Sequence, residues 1–128
     1  MPLNSPLVKN LETRDDGLIT IELEPVTDLE PLVDMMLEFH ETYPESIVRL
    51  WDLSAGFNLS TEELKRVAAR GADVWKGPAR VAYVAPDSLG FGLLRMLEQY
   101  RNEDKYHTMV FRDRDKAMAW LEQSAELG

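Results

Sequence analysis

Apolar and polar residues alternate along Leu18-Ile19-Thr20-Ile21-Glu22-Leu23, with Ile19, Ile21 and Leu23 on one side and Thr20 and Glu22 on the other. A period of two predicts a half-buried strand. The preceding Asp16-Gly17 is a strong hairpin signal, because both residues tolerate a positive φ. Val8 to Thr13 is therefore expected to form the first arm of a hairpin. The period then lengthens. Leu29, Leu32, Val33, Met36 and His40 recur at helical spacing and predict one apolar helix face. Thr27 with Glu30 fits a capping box, Pro31 falls in the first turn, and Pro44 lies beyond the helix end.

Ile47 to Asp52 is a second strand, broken by Ser54-Ala55-Gly56. Ser60 with Glu63 gives another capping box. Leu64, Val67 and Ala68 supply the buried face of the helix that follows, and Gly71 is expected to close it. Past Gly77-Pro78, the run Arg80 to Ala85 is almost continuously apolar, which suits a strand covered on both faces. Pro86-Asp87-Ser88 ends that strand and offers a cap, after which Gly90, Leu93, Leu94 and Leu97 repeat at helical spacing to about Tyr100. Thr108 to Phe111 reads as a last strand. Asp113 caps a final helix whose face is Ala117, Trp120, Leu121 and Ser124.

The order β-β-α-β-α-β-α-β-α predicts an α/β domain. Its sheet is mixed and four- to five-stranded, with an N-terminal hairpin and right-handed βα crossovers. Residues 1–7, with two prolines, are expected to be a loose arm, and residues 8–126 a single domain.

Composition narrows the function classes. The chain has 128 residues, enough for one core. With no cysteine there is no disulfide framework, thiolate metal site or cysteine nucleophile. A net charge of −9 opposes phosphate backbones, and the basic residues form no stripe, so nucleic-acid binding is not expected. The longest apolar runs, such as Val81 to Ala85, fall far short of the ~20 residues of a membrane span. Met1 to Pro6 lacks the basic-then-apolar layout of a secretory signal, and a cytoplasmic location is expected.

Three stretches resemble the STAS, or SpoIIAA-like, family of bacterial signalling domains. Leu50-Trp51-Asp52-Leu53-Ser54-Ala55-Gly56-Phe57 is similar to the central strand of that family, which ends in Asp-Leu-Ser before a helix. Arg80 to Gly92, and Val110-Phe111-Arg112-Asp113 with Ala117 to Leu121, resemble a branch of small SpoIIAA-like proteins. The resemblance covers roughly residues 15 to 122. It implies a mixed sheet flanked by helices, and a role in protein interaction or in binding a small or lipid-like ligand, without catalysis. In the phosphorylated members of the family, Asp-Ser-Ser-Gly or Asp-Ser-Thr-Gly follows the central strand. Here that place holds Leu59-Ser60-Thr61-Glu62-Glu63. Ser60 and Thr61 are thus at most a degenerate phosphosite, because the adjacent glutamates disfavour added phosphate.

In sheets of parallel strands, ligands gather beyond the carboxyl ends of the strands. The candidate rim is Asp52, Ser54 and Phe57 after one strand, and Asp87, Ser88, Gly90 and Phe91 after the next, with Arg95 behind them. An apolar ligand is expected between Phe57, Phe91, Leu94 and Arg95, in a pocket of ~300 Å³ or more. Asp52 reads either as a ligand carboxylate or as a residue fixing its own turn. Gly90-Phe91-Gly92 reads either as an anion cradle or as room for close helix packing. Ser54 and Ser88 lack the Gly-x-Ser-x-Gly setting of a nucleophile elbow. Two isolated histidines, His40 and His107, give no metal-ligand spacing. Neither a metal nor another cofactor is expected. The expected partner is an unknown protein or a small apolar ligand, and the hairpin edge makes a homodimer conceivable.

Overall fold

The computed structural model describes residues 3–101 and 103–127, with side chains through Gln123. Strands β1 (Val8–Thr13) and β2 (Ile19–Leu23) form the expected hairpin. In its turn the Gly17 N–H donates to the Arg14 carbonyl at 3.0 Å, and the Arg14 N–H donates to the Leu18 carbonyl at 2.9 Å. Gly17 has a φ of +92°, which side chains rarely tolerate. The chain then alternates: α1 (Leu29–Thr42), β3 (Val48–Asp52), α2 (Thr61–Val74), β4 (Ala79–Val84), α3 (Ser88–Tyr100), β5 (Tyr106–Phe111) and α4 (Arg114–Leu127). The five strands lie in sequence order, with β1 antiparallel to β2 and every later pair parallel. This is the α/β fold with a mixed sheet that the hydrophobic pattern predicts.

Register decides which side chains meet. Ile19, Arg49, Val81 and Thr108 align across β2 to β5 and so share one face. Helices α1, α2 and α3 cover that face, joining Ile21, Trp51, Leu64 and Leu94 in the larger core. On the opposite face α4 packs Ala117 and Leu121 against Leu18, Leu50, Ala82 and Val84. Cover on both sides is why β4 reads as a continuous apolar run.

Local expectations fare unevenly. The Ser60–Glu63 capping box is present, and Asp87 caps α3 through the Gly90 N–H at 2.9 Å. The Thr27–Glu30 box does not form. Val26 is held extended by bonds to Gly56 and Asn58, both 2.9 Å, so α1 starts only after Asp28, whose side chain makes no cap bond. Gly71 does not end α2, which runs on to Val74. It is a glycine for space instead, since an added Cβ would lie 3.4 Å from Arg101 Nε. The buried residues of α1 are Leu32, Met35 and Phe39, one step round from the predicted stripe. Ser124 falls outside the described side chains.

Residues 3–7 are tied to α1: the Asn4 and Ser5 N–H groups donate to Glu38 Oε1 at 3.0 and 3.1 Å, and Leu3 and Leu7 pack on the core. Met1 and Pro2 lie outside the described residues. Of the two sheet edges, β1 is bulged between Val8 and Asn10 and exposes Lys9 and Glu12, features that discourage strand pairing. The β5 edge leaves Met109 44% exposed. Among the described residues no helix is long and apolar enough to cross a membrane.

Candidate functional site

The residues of the expected rim separate into small local structures. Asp52 Oδ1 accepts from the Ser54 N–H at 3.0 Å and from the Ser54 hydroxyl, while Oδ2 accepts from Arg114 Nη1 at 2.9 Å. The Asp52 carboxylate thus fixes its own turn and anchors α4. Asp87 is committed to the cap of α3, and Ser88 is its exposed first residue. At Gly90 an added Cβ would meet Asp87 Oδ1 at 3.0 Å and Ala85 Cβ at 3.3 Å, so close packing accounts for this glycine. Nothing crowds Gly92. The Phe91 ring lies under the Arg112 guanidinium at 4.3 Å, and Arg95 is exposed and pairs with Glu98 at 3.6 Å.

Phe57 alone of these rim residues lines the cavity under the helices. Val26 and Phe57 form a parallel bridge that closes the carboxyl end of the sheet with backbone, and Gly56 supplies the necessary φ of +142°. Phe57 is buried beneath it. There it becomes one wall of a cavity of about 60 Å³ between the sheet and the helix layer. Leu94 shares that cavity, whereas Phe91 and Arg95 do not line it. In this shape the volume is well below the ~300 Å³ of a drug-sized pocket.

The cavity is apolar towards the carboxyl ends of the strands, where Leu23, Leu53, Phe57 and Leu94 line it. Its other end, by the amino end of β3 and the C-termini of α1 to α3, holds Arg49, His40, Arg101 and Tyr106, with Tyr83 between. Arg49 projects from the helix-covered face and is 1% exposed. Its guanidinium stacks on Trp75 at 4.6 Å and lies 5.9 Å from the rings of Phe39 and Tyr106. Arg101, 4% exposed, stacks on Tyr106 at 3.7 Å. Its Nη2 donates to the Gly71 and Trp75 carbonyls at 3.3 and 3.0 Å, completing the C-terminus of α2, and its Nη1 pairs with Glu103.

This end of the cavity is electropositive. Burial, and then the charges of Arg49 and Arg101, lower the His40 pKa from its ordinary value to about 4, so the ring is neutral near pH 7. Burial also raises Tyr83 well above the ordinary phenol range and lowers Arg49 from its usual value. All three directions follow from desolvation of the charged form.

Nothing in the residue pattern marks Arg49 as a site residue. It stands in a strand between Val48 and Leu50 that is buried on both faces, so no alternation singles it out. Arg101 and Tyr106 flank a helix-to-strand connection, where charged and aromatic residues are commonplace. No protein-family profile matches the chain, and no curated protein or solved structure matches it significantly.

Proposed function

We propose that the chain is a non-catalytic, SpoIIAA-like binding module, a carrier or sensor that holds a small, mostly apolar molecule under α1, α2 and α3. The observation that carries this reading is the cavity between the sheet and helices α1, α2 and α3. An occupant there is surrounded by α1, α2 and α3 and by strands β2 to β5, so its presence is transmitted to the helix surface a partner would read. The mixed sheet with helices packed beside it agrees with what the SpoIIAA-like resemblance implies, and on that resemblance the module works in the cytoplasm with a protein partner.

Two features favour binding over other roles. Ser54 and Asp52 bond each other near the carboxyl end of β3, while His40 sits by Arg49 near its amino end. Asp52 and Arg49 are three residues apart and project from opposite faces, so hydroxyl, histidine and carboxylate do not converge. Ser60 is already engaged in its capping box, with Glu63 N–H donating to Oγ at 3.2 Å and Ser60 N–H to Glu63 Oε1 at 2.9 Å. Its hydroxyl is structural, which argues against a phospho-switch at Ser60.

The test is an NMR titration of the full chain with xenon and 1-propanol as neutral apolar probes. Saturable shifts confined to Leu32, Val67, Leu94 and their neighbours are expected, and Ala68→Leu, which fills the cavity, should abolish them. Shifts that never saturate, or that survive Ala68→Leu, would sink the reading.

A further inference from the structure

Arg49 is a buried cation with an unused hydrogen-bonding edge. Its Nη1 lies 3.4 Å from His40 Nε2, while Nε and Nη2 are buried with no partner among the described residues. Among the described residues no carboxylate lies within ion-pair distance of it. The aromatic rings around it offset part of the desolvation of its charge. They do not satisfy its N–H groups, and buried donors are otherwise hydrogen-bonded almost without exception. The two free nitrogens are adjacent. Nε–H and the neighbouring Nη2–H point the same way and form the planar fork that matches the two oxygens of a carboxylate.

The other unpartnered atoms beside the cavity have the same sense. His40 Nδ1 and Arg101 Nε are also buried without partners among the described residues. With His40 neutral and Nε2 facing the Arg49 donor, the ring proton resides on Nδ1. The four unpartnered nitrogens of Arg49, His40 and Arg101 are therefore all donors. A site of free donors under net positive charge calls for an anionic acceptor.

We propose that the cavity binds a small monocarboxylic acid, its carboxylate held side-on by Arg49 Nε and Nη2 and its tail lying towards Leu94 and Phe57. The proposal rests on the binding-module reading and names the ligand class for the same site. Size sets the tail. About 60 Å³ is room for roughly four to six waters at ~10–15 Å³ each, which suits an acid of about two to four carbons. The apolar half of the cavity, lined by Leu23, Leu53, Phe57 and Leu94, favours a monocarboxylate over phosphate, which has no apolar tail to fill it.

The test compares propanoate with 1-propanol and inorganic phosphate, followed by NMR and by the fluorescence of the chain, since Trp75 stacks on Arg49. Propanoate should bind one to one and at least about tenfold tighter than 1-propanol, the scale of a charge-assisted pair. It should also raise the His40 pKa, which 1-propanol should not. Arg49→Met should remove the preference while still binding 1-propanol. Arg49→Lys, which keeps the charge but not the fork, should lose most of it. Equal affinity for acid and alcohol would overturn the carboxylate assignment and leave the binding module standing. Binding of neither would remove both. Phosphate binding as tightly as propanoate would overturn the assignment of a monocarboxylate.

Discussion

At the scale of single residues, the pocket sets stability against readiness for a ligand. Arg49 is buried with no carboxylate within ion-pair distance among the described residues, an arrangement in which an apolar replacement is often neutral or stabilising. Arg49→Met is expected to leave the ligand-free protein unchanged or more stable by up to ~2 kcal/mol, read as a shift in urea midpoint. His40 gives a pH signature. Its folded pKa of about 4 lies below the ordinary 6.5, so the unfolded chain takes up the proton first. The stability associated with the neutral ring is therefore full above pH 6.5 and is lost as pH falls towards 4. The loss should be on the order of 1–2 kcal/mol, less than full linkage because the ring keeps some solvent contact. Urea midpoints measured between pH 7 and pH 4 should fall less for His40→Gln than for the natural chain.

At the scale of elements, the ends of the helices carry most of the local specification. The Ser60–Glu63 box joins two reciprocal bonds at the start of α2. Ser60→Ala should destabilise the protein by about 1 kcal/mol, and chemical denaturation of the two proteins side by side measures it. Gly90 stands where α3 passes closest to the end of β4. There an added Cβ sits 3.0 Å from the Asp87 carboxylate that caps the helix, so Gly90→Ala must displace either the cap or Ala85. A loss of about 1–3 kcal/mol is expected, as for other overpacked sites, with hydrogen exchange quickening first at the N-terminus of α3. The opposite ends of the helices make the pocket. The C-terminus of α2 is completed by Arg101, and the same side chain then faces the cavity.

For the molecule as a whole, charge and site oppose each other. The chain carries −9, yet its cavity ends in Arg49 and Arg101. An entering carboxylate meets a repulsive field before an attractive pocket, and salt screens the longer-range part more strongly. Association of propanoate, followed by stopped-flow fluorescence, should speed up from low to moderate ionic strength. The reverse trend would place the site on an exposed basic surface. The two edges of the sheet also differ. With β1 bulged and charged, any self-association should run through β5, and Met109→Lys should leave stability within about 0.5 kcal/mol while reducing whatever dimer light scattering detects.

The sequence alone determined what depends on neighbours in the chain. Period two at Ile19 to Leu23, period 3.6 through Leu64 and Val67, the turn at Asp16-Gly17 and the box at Ser60–Glu63 were all legible, and with them the α/β order. These features act over a few residues, so the local pattern suffices. Where long-range pairing competed, the local signal failed. The bridge of Val26 to Phe57 overrode the box at Thr27, and Arg101 gave Gly71 its purpose as space. The site lay wholly in this second class. His40 of α1, Arg49 of β3, and Arg101 and Tyr106 of the α3–β5 connection are brought together by strand register and by the C-terminal ends of the helices. Folding left Arg49 Nε and Nη2 buried without an acceptor among the described residues. Only the tertiary structure decides that, because whether a side chain finds a partner depends on everything packed around it.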